Sequence, residues 1–214
     1  MKLVFVIASA SPKEKQKSRG DGIRFMLEYH SVYPKFTGHL DIRPEDIYHI
    51  FFDSPSFDTL EFNTADSVKE SLTQIILEDR IADLCVVYIG HGQRNGWALS
   101  GQRNRESLSY RDLGMIFVQH HGNLIFLNSA CYGGMGSYAM KYHSGEHLFI
   151  SPLPATRSGI VCDFFPALIY GWEKGKFFDP SISVGNNDSR PVVVGNPELQ
   201  RLFFLKNPKP ARGG

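Results

Sequence analysis

Two short segments hold the residue types that nucleophilic chemistry needs. His91 stands in Gly90-His91-Gly92, directly after the apolar run LCVVYIG over residues 84–90. Cys131 stands in Ser129-Ala130-Cys131-Tyr132-Gly133-Gly134, directly after LIFLN over residues 124–128. A thiol attacks a carbonyl carbon as its thiolate, and a nearby imidazole can take the proton or stabilise the charge. The glycines around both residues let the backbone turn sharply and approach a substrate closely. Taken singly, each residue has a plainer reading. A free cysteine is commonly a small buried hydrophobe, and Cys85 and Cys162, inside apolar runs, are read that way. A lone histidine is commonly a structural hydrogen-bonder. His91 and Cys131 differ because both follow an apolar strand pattern, where open α/β sheets gather ligands and reactive groups.

Three other patterns compete. Residues 134–139 (GMGSYA) match a dinucleotide-loop pattern, but that loop belongs to the first turn of a βαβ unit with an acid ending the next strand. Here the run that follows ends in Ser-Pro. His143-Ser144-Gly145-Glu146-His147 matches H-x-x-E-H, but Ser-Gly in its middle opposes the single helical face that zinc ligation requires. A phosphatase cradle around Cys131 needs an arginine where Ser137 stands, and no G-x-S-x-G elbow occurs. No metal and no cofactor is therefore expected.

The elements that must position these residues alternate between strand and helix patterns. Strands are expected over 2–9 (KLVFVIAS), 46–53 (DIYHIFFD), 84–90, 124–128 and 147–150 (HLFI), with late strands or packed segments at 191–194 and 202–205. The clearest helix covers 63–80: Asn63 or Thr64 can cap it, and Val68, Leu72, Ile75 and Ile76 recur at helical spacing. A short helix is expected over 23–29, ending before Pro34, and another over 107–120 with Leu113, Ile116 and Phe117 inward. Residues 96–101 read as a small hairpin or turn, and 133–142 turn into a helix. Pro166 makes 164–172 weakly helical at best. Alternation without repeats or a low-complexity linker predicts one α/β domain with a mostly parallel sheet and helices on both faces.

Composition narrows the function classes. The chain has 214 residues with 23 Lys+Arg against 22 Asp+Glu, a balance that argues against a protein built to neutralise phosphates. No nucleic-acid or membrane partner is expected. The first apolar run is too short to span a membrane, and its basic flank, residues 13–19, follows it instead of preceding it. That flank reads as a solvated loop or a regulatory segment. Three scattered cysteines suit a reducing compartment, read here as cytoplasmic.

The two strand ends resemble the His-Gly and Ala-Cys motifs of the caspase-like cysteine peptidases, the group of caspases, metacaspases, legumains and gingipains. The resemblance covers residues 84–92 and 124–134. It implies a three-layer α/β/α sandwich, one peptidase domain over 1–205 and a flexible tail over 206–214. It also implies a cysteine endopeptidase acting on a peptide or protein substrate through a thioester. Cys131 would be the nucleophile, His91 the acid/base, and the backbone N–H groups of Gly92 and Cys131 the oxyanion hole. In that group the residue two before the cysteine helps line the pocket for the side chain preceding the cut, and carries an amide or a carboxylate. Ser129 is small and neutral, so it decides no charge preference. The other wall of that pocket follows the fifth strand, where Arg157 and Asp163 lie. Arg157 would favour an acidic substrate side chain and Asp163 a basic one, and the two could equally pair with each other. No third triad member is evident. A reading from another class is a catalytically silent binding or scaffold module of the same fold.

Overall fold

Unbroken runs of Val, Ile, Leu and Phe can be strands only if both faces of the strand are covered, and the centre of this molecule is built that way. The computed structural model describes residues 1–8, 21–39, 42–52, 61–62, 64–99, 106–156, 164–181 and 190–204. Strand β1 (Lys2–Ala8) and strand β4 (Leu84–Ile89) are buried along their whole length. They pair in parallel, Leu3 opposite Cys85 through Ile7 opposite Ile89. On the far side of β1 lie β2 (Ile47–Phe52) and β3 (Glu61–Phe62); on the far side of β4 lie β8 (Leu124–Ser129) and β9 (His147–Ser151). All of these are parallel. The seventh strand, β10 (Val192–Gly195), closes the β9 edge antiparallel.

Residues alternate between two cores because side chains alternate along a strand. Leu3, Phe5 and Ile7 enter one core with α1 (Asp21–His39), α4 (Phe164–Glu173) and the short 3-10 helix Pro197–Phe203. Val4, Val6 and Ala8 enter the other with α2 (Ala65–Glu78), α3 (Tyr110–Phe117) and the 3-10 helix Gly133–Met140. The expected α/β/α layering with a mostly parallel sheet is the architecture observed.

Helix α2 starts as its sequence indicates. Thr64 is the cap, its hydroxyl accepting from the Ser67 N–H at 3.1 Å, and Val68, Leu72, Ile75 and Ile76 are buried. Two helices correct the sequence reading. Helix α1 runs through Pro34 instead of stopping before it, for 19 residues. Phe25, Tyr29, Val32 and Phe36 form one continuous buried stripe spanning the proline, at about 1.5–3 kcal/mol for each large side chain. Pro34 itself is exposed, so its missing N–H costs one bond on the solvent side. In α4, Pro166 sits in the first turn, where a proline N–H has no intrahelical partner to lose. Buried Phe164, Phe165, Leu168, Ile169 and Trp172 then hold the helix on the sheet.

A second, three-stranded sheet was only partly visible in the sequence. It consists of β5 (His91–Gln93), β6 (Gly96–Ala98) and β7 (Ser107–Ser109), all antiparallel. Ser107–Ser109 takes the first part of the expected 107–120 helix, and Ser109 caps what remains, accepting from the Asp112 N–H at 3.0 Å. Residues 202–205, expected as a late strand or a packed segment, are not a strand: up to residue 203 they end the last 3-10 helix, with Phe203 buried.

Candidate active site

The site begins where β4 ends. Gly90 turns the chain out of the central sheet at a point too crowded for any side chain: a Cβ there would lie 2.7 Å from both the Ala8 Cβ and the Tyr88 hydroxyl. His91 then opens β5 and is half-buried. Its carbonyl accepts from the Tyr88 hydroxyl at 2.7 Å, and its imidazole meets the Phe25 ring edge-on at 4.8 Å. Backbone and ring of His91 are thus held from opposite layers, by β4 and by α1.

Gly92 follows, and its N–H is directed by the small sheet. Across β6 and β7, Tyr110 N–H donates to Asn95 C=O and Leu99 N–H to Glu106 C=O. Trp97 lies in phase with those pairs, so its own backbone groups face β7. Gly92 is the partner of Trp97 on the other side. The Gly92–Trp97 pair is therefore a non-hydrogen-bonded pair, and the Gly92 N–H points away from β6.

The second half begins where β8 ends. Asn128 is fully buried and makes three bonds: it accepts from Trp97 Nε1 at 3.2 Å and donates to the Tyr110 hydroxyl at 3.1 Å and the Gly133 carbonyl at 2.9 Å. Its strand position, just before Ser129-Ala130-Cys131, makes it the anchor of the cysteine turn. Gly133 N–H donates to Ala130 C=O at 2.9 Å, closing that turn, and Gly134 N–H donates to Leu153 C=O at 2.8 Å, tying it to the segment after β9. Tyr132 has φ of 56°, the sole non-glycine in the left-handed region among the described residues. That conformation costs a bulky residue about 1–2 kcal/mol and is held only where the surroundings over-determine it. Cys131 is half-buried, immediately before that strained residue.

The two turns are in contact. Gly92 packs on the backbone of Ala130 and Cys131 so closely that an added Cβ would overlap the Cys131 carbonyl oxygen and lie 3.0 Å from the Cys131 nitrogen. The Arg94 guanidinium lies over the Tyr132 ring, 5.8 Å from its centroid. Beneath both turns, Trp97 stacks flat on Tyr88 at 4.2 Å while its indole N–H reaches Asn128. One continuous set, Tyr88–Trp97–Asn128, therefore links the backbone of His91 to the backbone that follows Cys131.

Electrostatics separate the two described cysteines. Burial pushes the Cys85 thiol up and leaves it fully enclosed, as a core residue. The Tyr110 phenol is pushed up to about 12, and the Tyr88 phenol is raised well above its ordinary value. Burial is the main cause for both. Both hydroxyls therefore remain neutral at physiological pH, as hydrogen-bonding groups rather than charges. The arrangement brings the half-buried His91 and Cys131 onto two turns whose backbones touch at Gly92.

Ser129 ends β8, and its hydroxyl donates to the Glu28 carboxylate at 3.1 Å. Glu28 is one helical turn beyond Phe25 on α1. Ser129 was singled out in the sequence, but Glu28 and Phe25 were not, because nothing local in a helix marks which of its side chains meets a distant strand end. Asn128 and Trp97 were missed for the same reason. Arg157, Asp163 and Cys162 lie outside the described residues, as do residues 13–19 and 206–214.

The competing patterns are used for packing. Gly133, Gly134 and Gly136 are buried, and a Cβ at Gly136 would lie 2.7 Å from Asn128 Nδ2 and 2.9 Å from Phe149. His143 lies in a loop while His147 begins β9, so the two do not share a helical face. Both ring nitrogens of His143 lie against carbonyls, those of Phe117 at 3.2 Å and Gly122 at 3.0 Å. Glu146 accepts from Asn196 Nδ2 at 3.0 Å. Among the described residues no three His, Cys, Asp or Glu side chains gather as a metal site, and no helix is long and apolar enough to cross a membrane.

No family model matches the chain, and no curated protein does. Among solved structures, the chain is similar to a secreted C11 cysteine protease from Bacteroides thetaiotaomicron, whose X-ray structure holds an irreversible peptide inhibitor. The match covers 92% of this chain and 67% of that one, at 13% identity and a TM-score of 0.42. It is also similar to Raptor from Chaetomium thermophilum, over 82% of this chain and 18% of that one, at 9% identity and a TM-score of 0.44. The chain thus spans about two thirds of the first and under a fifth of the second.

Proposed function

We propose that the protein is a cysteine endopeptidase with Cys131 as nucleophile and His91 as acid/base. The observation that carries this reading is the seating of Gly92 on the Cys131 backbone. It brings the histidine turn against the cysteine turn, and the pairing of β5 with β6 leaves the Gly92 N–H pointing away from β6. His91 takes the Cys131 proton, and the thiolate attacks the scissile carbonyl carbon. The negative oxygen that forms accepts from the N–H groups of Gly92 and Cys131. Collapse breaks the C–N bond, His91 delivers its proton to the departing amine, and a thioester remains. Water, deprotonated by His91, then attacks the thioester and releases the acid and the thiol.

This scheme predicts that Cys131→Ala and His91→Ala each abolish peptide hydrolysis while the folded protein keeps its circular dichroism and unfolding midpoint. The double variant is expected to be hardly worse than either single one, because the pair acts as a unit. Labelling by a peptidyl acyloxymethyl ketone, lost in Cys131→Ala, is the companion measurement. A folded Cys131→Ala protein with full activity overturns the assignment.

A further inference from the structure

We infer that Asn128 is a positioning residue of the oxyanion site: its buried side-chain amide ties the two turns together and so sets the two backbone N–H groups, of Gly92 and of Cys131, that receive the negative oxygen. The inference rests on the peptidase reading above and extends it to a residue enclosed beneath the site.

The cysteine turn needs such a hold. Residues 130–133 form a four-residue turn closed by Gly133 N–H on Ala130 C=O at 2.9 Å. Cys131 and Tyr132 are its central residues. Tyr132, with φ of 56° and ψ of 22°, sits where a turn with a left-handed residue ordinarily takes glycine or asparagine. Rotating the Cys131–Tyr132 peptide would relieve Tyr132. It would also swing the Cys131 carbonyl, the group against which Gly92 is seated. The two glycines that follow add no stiffness of their own. The restraint lies in the peptide that joins them. Its carbonyl end accepts from Asn128 Nδ2 at 2.9 Å, and its N–H end donates to Leu153 C=O at 2.8 Å. Neither end can move without breaking a bond, so the strained turn before it keeps its shape.

Chemistry leaves the Asn128 amide one orientation. The Trp97 indole N–H only donates and the Gly133 carbonyl only accepts, so the amide oxygen faces Trp97 and the nitrogen faces Gly133. The second amide hydrogen goes to the Tyr110 hydroxyl at 3.1 Å. Asn128 is fully buried, so water does not replace a lost partner. Trp97 carries the hold to the histidine side. Its backbone is the β6 partner of Gly92, and its ring stacks on Tyr88, whose hydroxyl donates to His91 C=O. The Trp97–Asn128 bond thus keeps the strand that directs the Gly92 N–H in step with the turn that carries the Cys131 N–H. These bonds fix backbone positions, so the step they govern is the one in which backbone donors count.

The test compares two reactions of Cys131 in the full chain. Hydrolysis of a fluorogenic peptide, the best wild-type substrate from a mixed library, passes through a tetrahedral oxyanion. Alkylation by iodoacetamide does not: the thiolate forms a C–S bond as the C–I bond breaks and iodide leaves. Mass spectrometry of the peptide containing Cys131 follows the alkylation. Asn128→Leu keeps the branched shape and removes every amide bond. It is expected to lower kcat about 100-fold with KM within about threefold, the mark of an interaction made in the transition state. The alkylation rate is expected to stay within about twofold, with its pH midpoint unmoved. Trp97→Phe keeps a stacked ring and loses the indole N–H. The same split is expected there at about tenfold, and this variant carries the test if Asn128→Leu does not fold. Ile76→Val, a trimmed core residue on α2, is expected to lower the unfolding midpoint and leave kcat unaltered, which separates lost stability from lost positioning. Unaltered kcat in the folded variants overturns the inference. An alkylation rate that falls as far as kcat also overturns it, by placing the effect on the thiol. Both results leave the peptidase reading standing. Absence of thiol-dependent hydrolysis in the wild type overturns that reading and this inference with it.

Discussion

At the scale of single residues, the demand on Gly92 is the most exacting. Its missing Cβ lets the strand after His91 lie directly on the Cys131 backbone, while its pairing with Trp97 sets the direction of its N–H. Gly92→Ala is expected to lower kcat/KM at least about 100-fold, the loss typical of one displaced oxyanion donor. The thermal midpoint should also fall by several degrees, since a clash with backbone atoms has no flexible side chain to yield. Paired activity and calorimetry measurements check this, and unaltered kcat/KM would show that the amide has no part in turnover. Residue types made His91, Gly92 and Cys131 conspicuous in the sequence, because a histidine or cysteine flanked by glycine after an apolar run is unusual chemistry in an unusual place. Glu28 was silent because its contact with Ser129 depends on what faces it across the α1–sheet interface.

At the scale of elements, α1 carries more of the site than its sequence suggests. Its buried face continues across Pro34, and one end of that face meets His91 and Ser129. Pro34 is exposed and removes the hydrogen bond that the His30 carbonyl would otherwise accept. Pro34→Ala is expected to stabilise the protein by about 1 kcal/mol, less than the intrinsic helix preference because alanine frees the unfolded chain. The urea midpoint reads this out, with kcat/KM unaltered. A fall in activity would instead mean that the break at Pro34 sets the pose of Phe25 and Glu28. Short elements were the hardest to read. Three-residue strands such as β5 and β7 hold too few side chains for any period to register, and Ser107–Ser109 looked helical because it leads into a helix.

At the scale of the whole molecule, buried and half-buried histidines tie stability to pH. His49 lies among Phe5, Phe51 and Tyr33, and its Nδ1 meets the Tyr29 hydroxyl at 3.0 Å. Burial holds its pKa below the ordinary 6.5, and also raises Tyr29, so the phenol stays protonated and donates to a neutral imidazole. His120 and His143 are lowered as well, with burial the larger cause over the carbonyls that favour their charge. Between each lowered folded value and 6.5 the unfolded chain binds more protons than the folded one. Stability is therefore expected to decline as pH falls from about 6.5, levelling below the folded values. Urea midpoints from pH 7.5 to 5 check the decline, and His49→Gln, which keeps an acceptor for Tyr29, is expected to flatten it. A flat profile in the wild type would place these histidines in a wetter interior than the packing indicates.

The sequence by itself determined the α/β class, the central strands, helix α2 with its Thr64 cap and the two candidate reactive residues. These are local matters: an apolar run of a given period, or a capping hydroxyl, needs no distant partner to be recognised. Only the tertiary structure decided that the two candidate turns touch through Gly92, that Asn128 and Trp97 lock them together, and that Glu28 brings a carboxylate to Ser129. It also decided that α1 and α4 persist despite their prolines, where burial on the sheet outweighs local preference. Each of these depends on groups far apart in the chain, from Glu28 to Ser129 and from Gly92 to Cys131. Such contacts are set by how the strands order in the sheet, which no local window of sequence contains.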